Sequence, residues 1–209
     1  MGALEFSTML RAILFLLLWS VAGITHAATI LVFGDSLSAG YGLPQGTSWV
    51  SLLEKRLANE NRDYKVINAS ISGETTVGGK NRLGAALAQH RPAIVVLELG
   101  INDALRGAKV ETMRANLTAM IAACRKQHAR VLLVGMQLPP NYGSDYAGKF
   151  KQMYASLAQS QRVPLVPFLF EGFAADRSAF QLDGLHPKAE MQPRMLDLVW
   201  KQLQPMLKR

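Results

Sequence analysis

The segment Thr29-Ile30-Leu31-Val32-Phe33-Gly34-Asp35-Ser36-Leu37-Ser38 joins a short apolar run to a glycine, a carboxylate and two hydroxyls. An unbroken apolar run of this length reads as a strand covered on both faces, and the small polar residues after it read as a turn. The same grammar repeats downstream. Strands are predicted over 64–69, 94–99, 131–134 and 164–168. Between them lie stretches with apolar residues at helical spacing: Trp49, Leu52, Leu53 and Leu57, then 77–90, 109–128 and 144–159. A last helix carries Met195, Leu198, Val199, Leu203 and Met206. Apolar strands alternating with amphipathic helices predict a three-layer α/β/α sandwich around a five-stranded parallel sheet.

Upstream of this segment the composition changes. Arg11 precedes the apolar run 12–23, which is followed by Ile24-Thr25-His26-Ala27-Ala28. A charge, a short apolar core and small residues at the end describe a secretory signal peptide over residues 1–27, cut after Ala27. The run is well short of the roughly 20 residues needed to cross a bilayer, so an uncleaved membrane anchor is the weaker alternative. Residues 28–209 then form one mature domain, exported to the periplasm of a bacterial cell. The sequence has 209 residues, 49% hydrophobic and 18% charged, enough to bury a single core. A lone cysteine, Cys124, allows no intramolecular disulfide. It continues the helical spacing of Met113, Leu117, Met120 and Ile121, so a buried small hydrophobe is expected there. The formal net charge of +8 invites a nucleic-acid reading. The Lys and Arg residues are scattered singly, without interleaved aromatics, so no nucleic-acid partner is expected. A solvated surface, with at most peripheral contact to anionic lipid, fits better, and a monomer is the default.

In a parallel sheet, ligands bind at the carboxyl ends of the strands. Four such ends are chemically rich. They carry Ser36, Gly73, Asn102 with Asp103, and the stretch Asp183-Gly184-Leu185-His186. Acyl transfer needs a nucleophile, a base, a group that orients the base, and donors for an oxyanion. Ser36 is the candidate nucleophile and His186 the base, with Asp183 three residues earlier to hold the imidazole. The N–H groups of Ser36 and Gly73 and the amide of Asn102 are the candidate oxyanion donors. Each residue has a plainer reading as a cap or turn residue. The four histidines discriminate: His26 falls in the leader, and His90 and His128 fall at helix ends. Only His186 has a carboxylate beside it in a strand-end loop. There is no Gly-x-Ser-x-Gly elbow. The stretch 73–81 fails as a phosphate loop. No His/Cys cluster has metal-ligand spacing, so neither metal nor cofactor is expected.

These blocks resemble the SGNH hydrolases, also called the GDSL family of esterases and lipases. Ser36, Gly73, Asn102 and His186 fall on the four residues that name that family, and Asp183 on its acidic partner. The match runs from Phe33 to Pro187. The resemblance implies a flavodoxin-like sandwich, and a serine hydrolase that cleaves acyl esters or thioesters without a cofactor. Its expected substrates are small acyl esters, lysophospholipids among them. It is closest to periplasmic members through 34–41, 66–73 and Gln137-Leu138-Pro139-Pro140-Asn141-Tyr142-Gly143. The last stretch implies that Leu138, Pro139, Pro140 and Tyr142 line an acyl groove. Ile101 stands where close relatives often carry glycine, and is expected to stiffen the Asn102 loop or crowd the groove. Two other readings remain open. One is a carbohydrate deacetylase on the same framework. The other is a non-catalytic module that binds an anion at the 34–38 turn.

Overall fold

The computed structural model describes residues 27–207. The signal peptide read over residues 1–27 therefore lies, except for Ala27, outside the described residues. Five strands, β1 (Ala28–Gly34), β2 (Tyr64–Asn68), β3 (Ile94–Glu98), β4 (Arg130–Val134) and β5 (Leu165–Val166), form one sheet in the order β2-β1-β3-β4-β5. Every pairing is parallel. The helices are α1 (Ser36–Ala39), α2 (Trp49–Asn59), α3 (Thr76–His90), α4 (Ile101–Leu105), α5 (Val110–Lys126), α6 (Ser144–Gln161) and α7 (Gln192–Leu203). Helices α3, α5 and α6 pack together on one face of the sheet, and α2 and α7 on the other. This is the predicted three-layer α/β/α sandwich. Among the described residues no helix is long and apolar enough to cross a membrane.

The strands are apolar because both faces are covered. Ile30 to Phe33, Ile94 to Leu97 and Leu132 to Val134 are all fully buried. They meet Leu83 and Leu87 of α3, Met113, Leu117 and Ile121 of α5, and Trp49, Leu53 and Leu57 of α2. Burying each such side chain contributes about 1.5–3 kcal/mol, and no disulfide supplements it. Cys124 is buried in this core, and burial pushes its thiol up to about 12. It is packing material, as its spacing predicted. The Trp49 indole N–H finds its partner in the carbonyl of Leu37, at 3.2 Å. That bond ties α2 to the turn that carries Ser36.

Two features differ from the sequence reading. Strand β5 spans two residues, not five. Pro164 and Pro167 flank it, and neither has an N–H to extend the ladder. The turns after β1 and β3 each wind into a short helix, α1 and α4, of four and five residues. Elements that short leave no periodicity to read.

The chain order decides where the site lies. From β1 the chain moves outward to β2, then returns to the other side of β1 for β3. Loops leaving neighbouring strands β1 and β3 therefore diverge, opening a crevice at their carboxyl ends. Gly34 and Glu98, the last residues of these two strands, pair in register directly beneath it.

Candidate active site

The turn after β1 is built around Asp35. Its carboxylate caps α1, accepting from the N–H of Leu37 at 3.0 Å, and Gly40 closes the same short helix in the left-handed conformation. Ser36 is thereby fixed as the first residue of a helical turn, with its backbone N–H left outside the helical bonding pattern. Its hydroxyl lies 2.8 Å from Nε2 of His186.

His186 arrives on a loop that is itself pinned. Phe180 and Pro187 form an isolated antiparallel bridge, and the N–H of Gln181 donates to the carbonyl of His186 at 2.8 Å. Between them the chain turns through Gly184 at φ 68°, a left-handed position suited to glycine. Asp183 organises the tip. One carboxylate oxygen accepts from the N–H groups of Leu185 and His186 at 2.9 and 3.0 Å. The other lies 2.7 Å from Nδ1 of His186. Partial burial alone would raise the Asp183 carboxyl, but the two N–H groups and the imidazole outweigh it and hold it below its ordinary value. It is thus a carboxylate at neutral pH, and favours the imidazole tautomer with the proton on Nδ1. Nε2 is then an acceptor facing the Ser36 hydroxyl. Tyr41 lies against the imidazole, ring centres 4.6 Å apart.

Asn102 lies in α4, entered through Gly100 at φ 126°. A side chain at Gly100 would also collide, since its Cβ would fall 2.5 Å from the Tyr154 hydroxyl. The Asn102 amide donates to the second oxygen of Asp35 at 3.0 Å, which fixes its plane and leaves one amide hydrogen for another acceptor. Asp103, on the same short helix, accepts from the N–H and hydroxyl of Thr76 at 2.8 and 2.6 Å, and so ties α4 to the start of α3. Gly73, at φ 79°, is exposed; its N–H has no hydrogen-bond partner among the described residues. Its carbonyl accepts from Arg106 at 3.3 Å. Ile101 is buried in the core.

Two acidic groups escaped the sequence reading as site residues. Asp35 and Glu98 are both fully buried. One Glu98 carboxyl oxygen accepts from the N–H of Asp35 at 3.3 Å and from the Ser38 hydroxyl at 2.8 Å. Gly34 makes room for it, because a Cβ there would fall 2.6 Å from that oxygen. Burial pushes Asp35 up to about 7, and burial together with the Asp35 charge pushes Glu98 well above the ordinary carboxylate range. Burial thus favours the protonated form of both groups, and the charge of each disfavours that of the other. The visible signal was a carboxylate closing the otherwise apolar run Ile94-Val95-Val96-Leu97-Glu98.

The loop after β4 is more peripheral. Leu138 is buried in the core, whereas Pro139 and Tyr142 are exposed on the turn that follows. The side chain of Pro140 lies outside the described residues. No hydrogen bond or ring contact of this loop reaches Ser36 or His186 among the described residues. Beside Ser36 and His186 lies a small depression, bordered by Tyr41, Leu43 and Pro187. At about 10 Å³ it has room for little more than one water. Ser36 and His186 are half-buried beside it, while Asp183 and Gly73 are exposed.

A parallel α/β/α sheet whose strand ends bring a serine, an imidazole and a carboxylate into one hydrogen-bonded chain has the organisation of an acyl hydrolase. The chain belongs to the GDSL-like lipase/acylhydrolase family, whose model matches residues 32–192. It is 49% identical to the esterase TesA of Pseudomonas aeruginosa over 87% of this chain and 90% of that protein. It is 40% identical to thioesterase 1/protease 1/lysophospholipase L1 of Escherichia coli K12, over 87% of this chain and 86% of that one. The crystal structure of TesA superposes with a TM-score of 0.83 at 49% identity, covering 86% of this chain and 99% of its own.

Proposed function

We propose that the protein is a serine hydrolase of carboxylic esters and thioesters with acyl chains, Ser36 being its nucleophile. The observation that carries this is the continuous hydrogen-bonded chain Ser36–His186–Asp183. The names of the relatives, esterase and thioesterase/lysophospholipase, support the substrate class.

The reaction has two halves. Ser36 Oγ attacks the acyl carbonyl while its proton passes to Nε2 of His186. Asp183 stabilises the imidazolium through Nδ1. Negative charge develops on the carbonyl oxygen, which accepts from the N–H groups of Ser36 and Gly73 and from the free amide hydrogen of Asn102. The C–O or C–S bond breaks, and the alcohol or thiol leaves with the proton from His186. Water, deprotonated by the same imidazole, then attacks the acyl-enzyme, and Ser36 recovers its proton as the acid departs. Exposed Pro139 and Tyr142 border the path of the acyl chain, with Leu138 and Pro140 beside them. Every group in the scheme comes from one chain, so the scheme needs no second subunit. The leader sequence supports export to the periplasm.

Hydrolysis of p-nitrophenyl butyrate by the mature protein and by Ser36→Ala tests this. Turnover by the wild type that is lost in the mutant is expected. Activity surviving in the mutant would assign the nucleophile elsewhere. A folded wild type that turns over sugar acetates and no acyl esters would favour a deacetylase.

A further inference from the structure

The exposed large hydrophobic residues among the described residues are Tyr41, Ile71, Val77, Tyr142, Leu182 and Leu185. All six lie at the carboxyl edge of the sheet. Tyr41 follows α1, Ile71 leaves β2 and Val77 is in the first turn of α3. Tyr142 follows β4, and Leu182 and Leu185 flank Asp183. Leu182 is fully exposed. Scattered exposed apolar residues need no explanation, but their confinement to the one edge that holds the reacting groups does. They do not form a continuous seam. They project from four separate loops around the site.

The charge on this edge is mixed, with exposed Glu111, Asp145, Asp183 and Glu190 on it, but it includes unpaired cations. Lys80, Arg106 and Lys109 are exposed there and make no ion pair among the described residues, and Arg106 touches Gly73 itself. The whole chain carries +8, and since Glu5 and Arg11 cancel, it remains +8 without the leader. Separate apolar tips on the same edge as unpaired cations, in a chain of net charge +8, match a surface whose anionic headgroups overlie acyl chains. A protein partner seated on the same tips would seal the site. A lipid surface presents substrate to it.

We infer that the carboxyl edge is a docking face for anionic lipid surfaces, with Leu182, Leu185, Ile71 and Val77 entering the headgroup layer and Lys80, Arg106 and Lys109 meeting its phosphates. Docking sets the site against the layer from which acyl chains emerge. This goes beyond the ester-hydrolase reading, and binding is read without turnover.

The test is co-sedimentation of the mature protein with vesicles of phosphatidylcholine alone and of phosphatidylcholine mixed with phosphatidylglycerol. The wild type is expected to bind the anionic vesicles, less as salt rises, and to bind neutral vesicles weakly. The double variant Leu182→Ser/Val77→Ser is expected to lose about tenfold or more of that binding. Its hydrolysis of soluble p-nitrophenyl butyrate is expected to stay within about twofold of wild type, which also certifies its fold. Wild type remaining in the supernatant with anionic vesicles would overturn the inference. So would equal binding by the variant, or a concentration-dependent dimer abolished by the two substitutions. Vesicle binding without any ester turnover would sink the hydrolase reading and leave the docking face standing.

Discussion

Asp35 stands to Asn102 as Asp183 stands to His186. Each carboxylate spends one oxygen on nearby backbone N–H and the other on a side chain whose direction matters. Fixing a donor in place before charge develops is what gives such a donor its effect on rate. Asn102→Ala is therefore expected to lower kcat by about 10²–10³-fold with KM little changed. Steady-state kinetics on a p-nitrophenyl ester check it, and a change confined to KM would mean that Asn102 only binds substrate. The contact of Ser36, His186 and Asp183 was legible in the sequence for a particular reason. One histidine of four had a carboxylate three residues before it, and that spacing lets a single turn present both side chains. The role of Asp35 was not legible. Its partners Leu37 and Asn102 lie two and 67 residues away, and only folding brings the distant one near.

Among the elements, the ends of β1 and β3 carry an electrostatic cost that shapes the site. The buried pair Glu98 and Asp35 binds protons more tightly in the folded chain than in the unfolded one. In the window above the ordinary carboxylate values the native state thus holds more protons, so stability falls as pH rises toward and through about 7. Glu98→Gln keeps the size and the acceptor oxygen for Ser38 and removes one of the two titrating groups. Urea midpoints at about pH 5 and about pH 8 are expected to drop further for wild type than for this variant. Parallel behaviour would show that the pair does not titrate in that window. The strands and long helices were readable because continuous apolar runs and helical periodicity persist over whole elements. The short helices α1 and α4 were not. They exist because Asp35 and Gly100 initiate a single turn, too brief for any pattern to repeat. Prolines at 164 and 167 shortened β5 for an equally local reason.

Across the whole molecule, a parallel sheet sends every strand's outgoing loop to the same edge. That is why Ser36, Gly73, Asn102 and His186, spread over 150 residues, meet in one place. It is also why one edge collects the exposed large apolar residues of the described part of the chain. The sandwich was foreseeable from the alternation of elements alone. The small size of the depression beside Ser36 was not, because it depends on how far each loop rises above the sheet, and spacing carries no record of that. Ser36 is half-buried there and remains accessible to reagents. The most direct test of the account is covalent labelling of the mature protein with an alkyl p-nitrophenyl phosphonate, followed by peptide mass mapping. A single adduct on the peptide containing Ser36, absent in Ser36→Ala and strongly slowed in His186→Ala, is the predicted result. Modification at another residue, or undiminished labelling of Ser36→Ala, would contradict it.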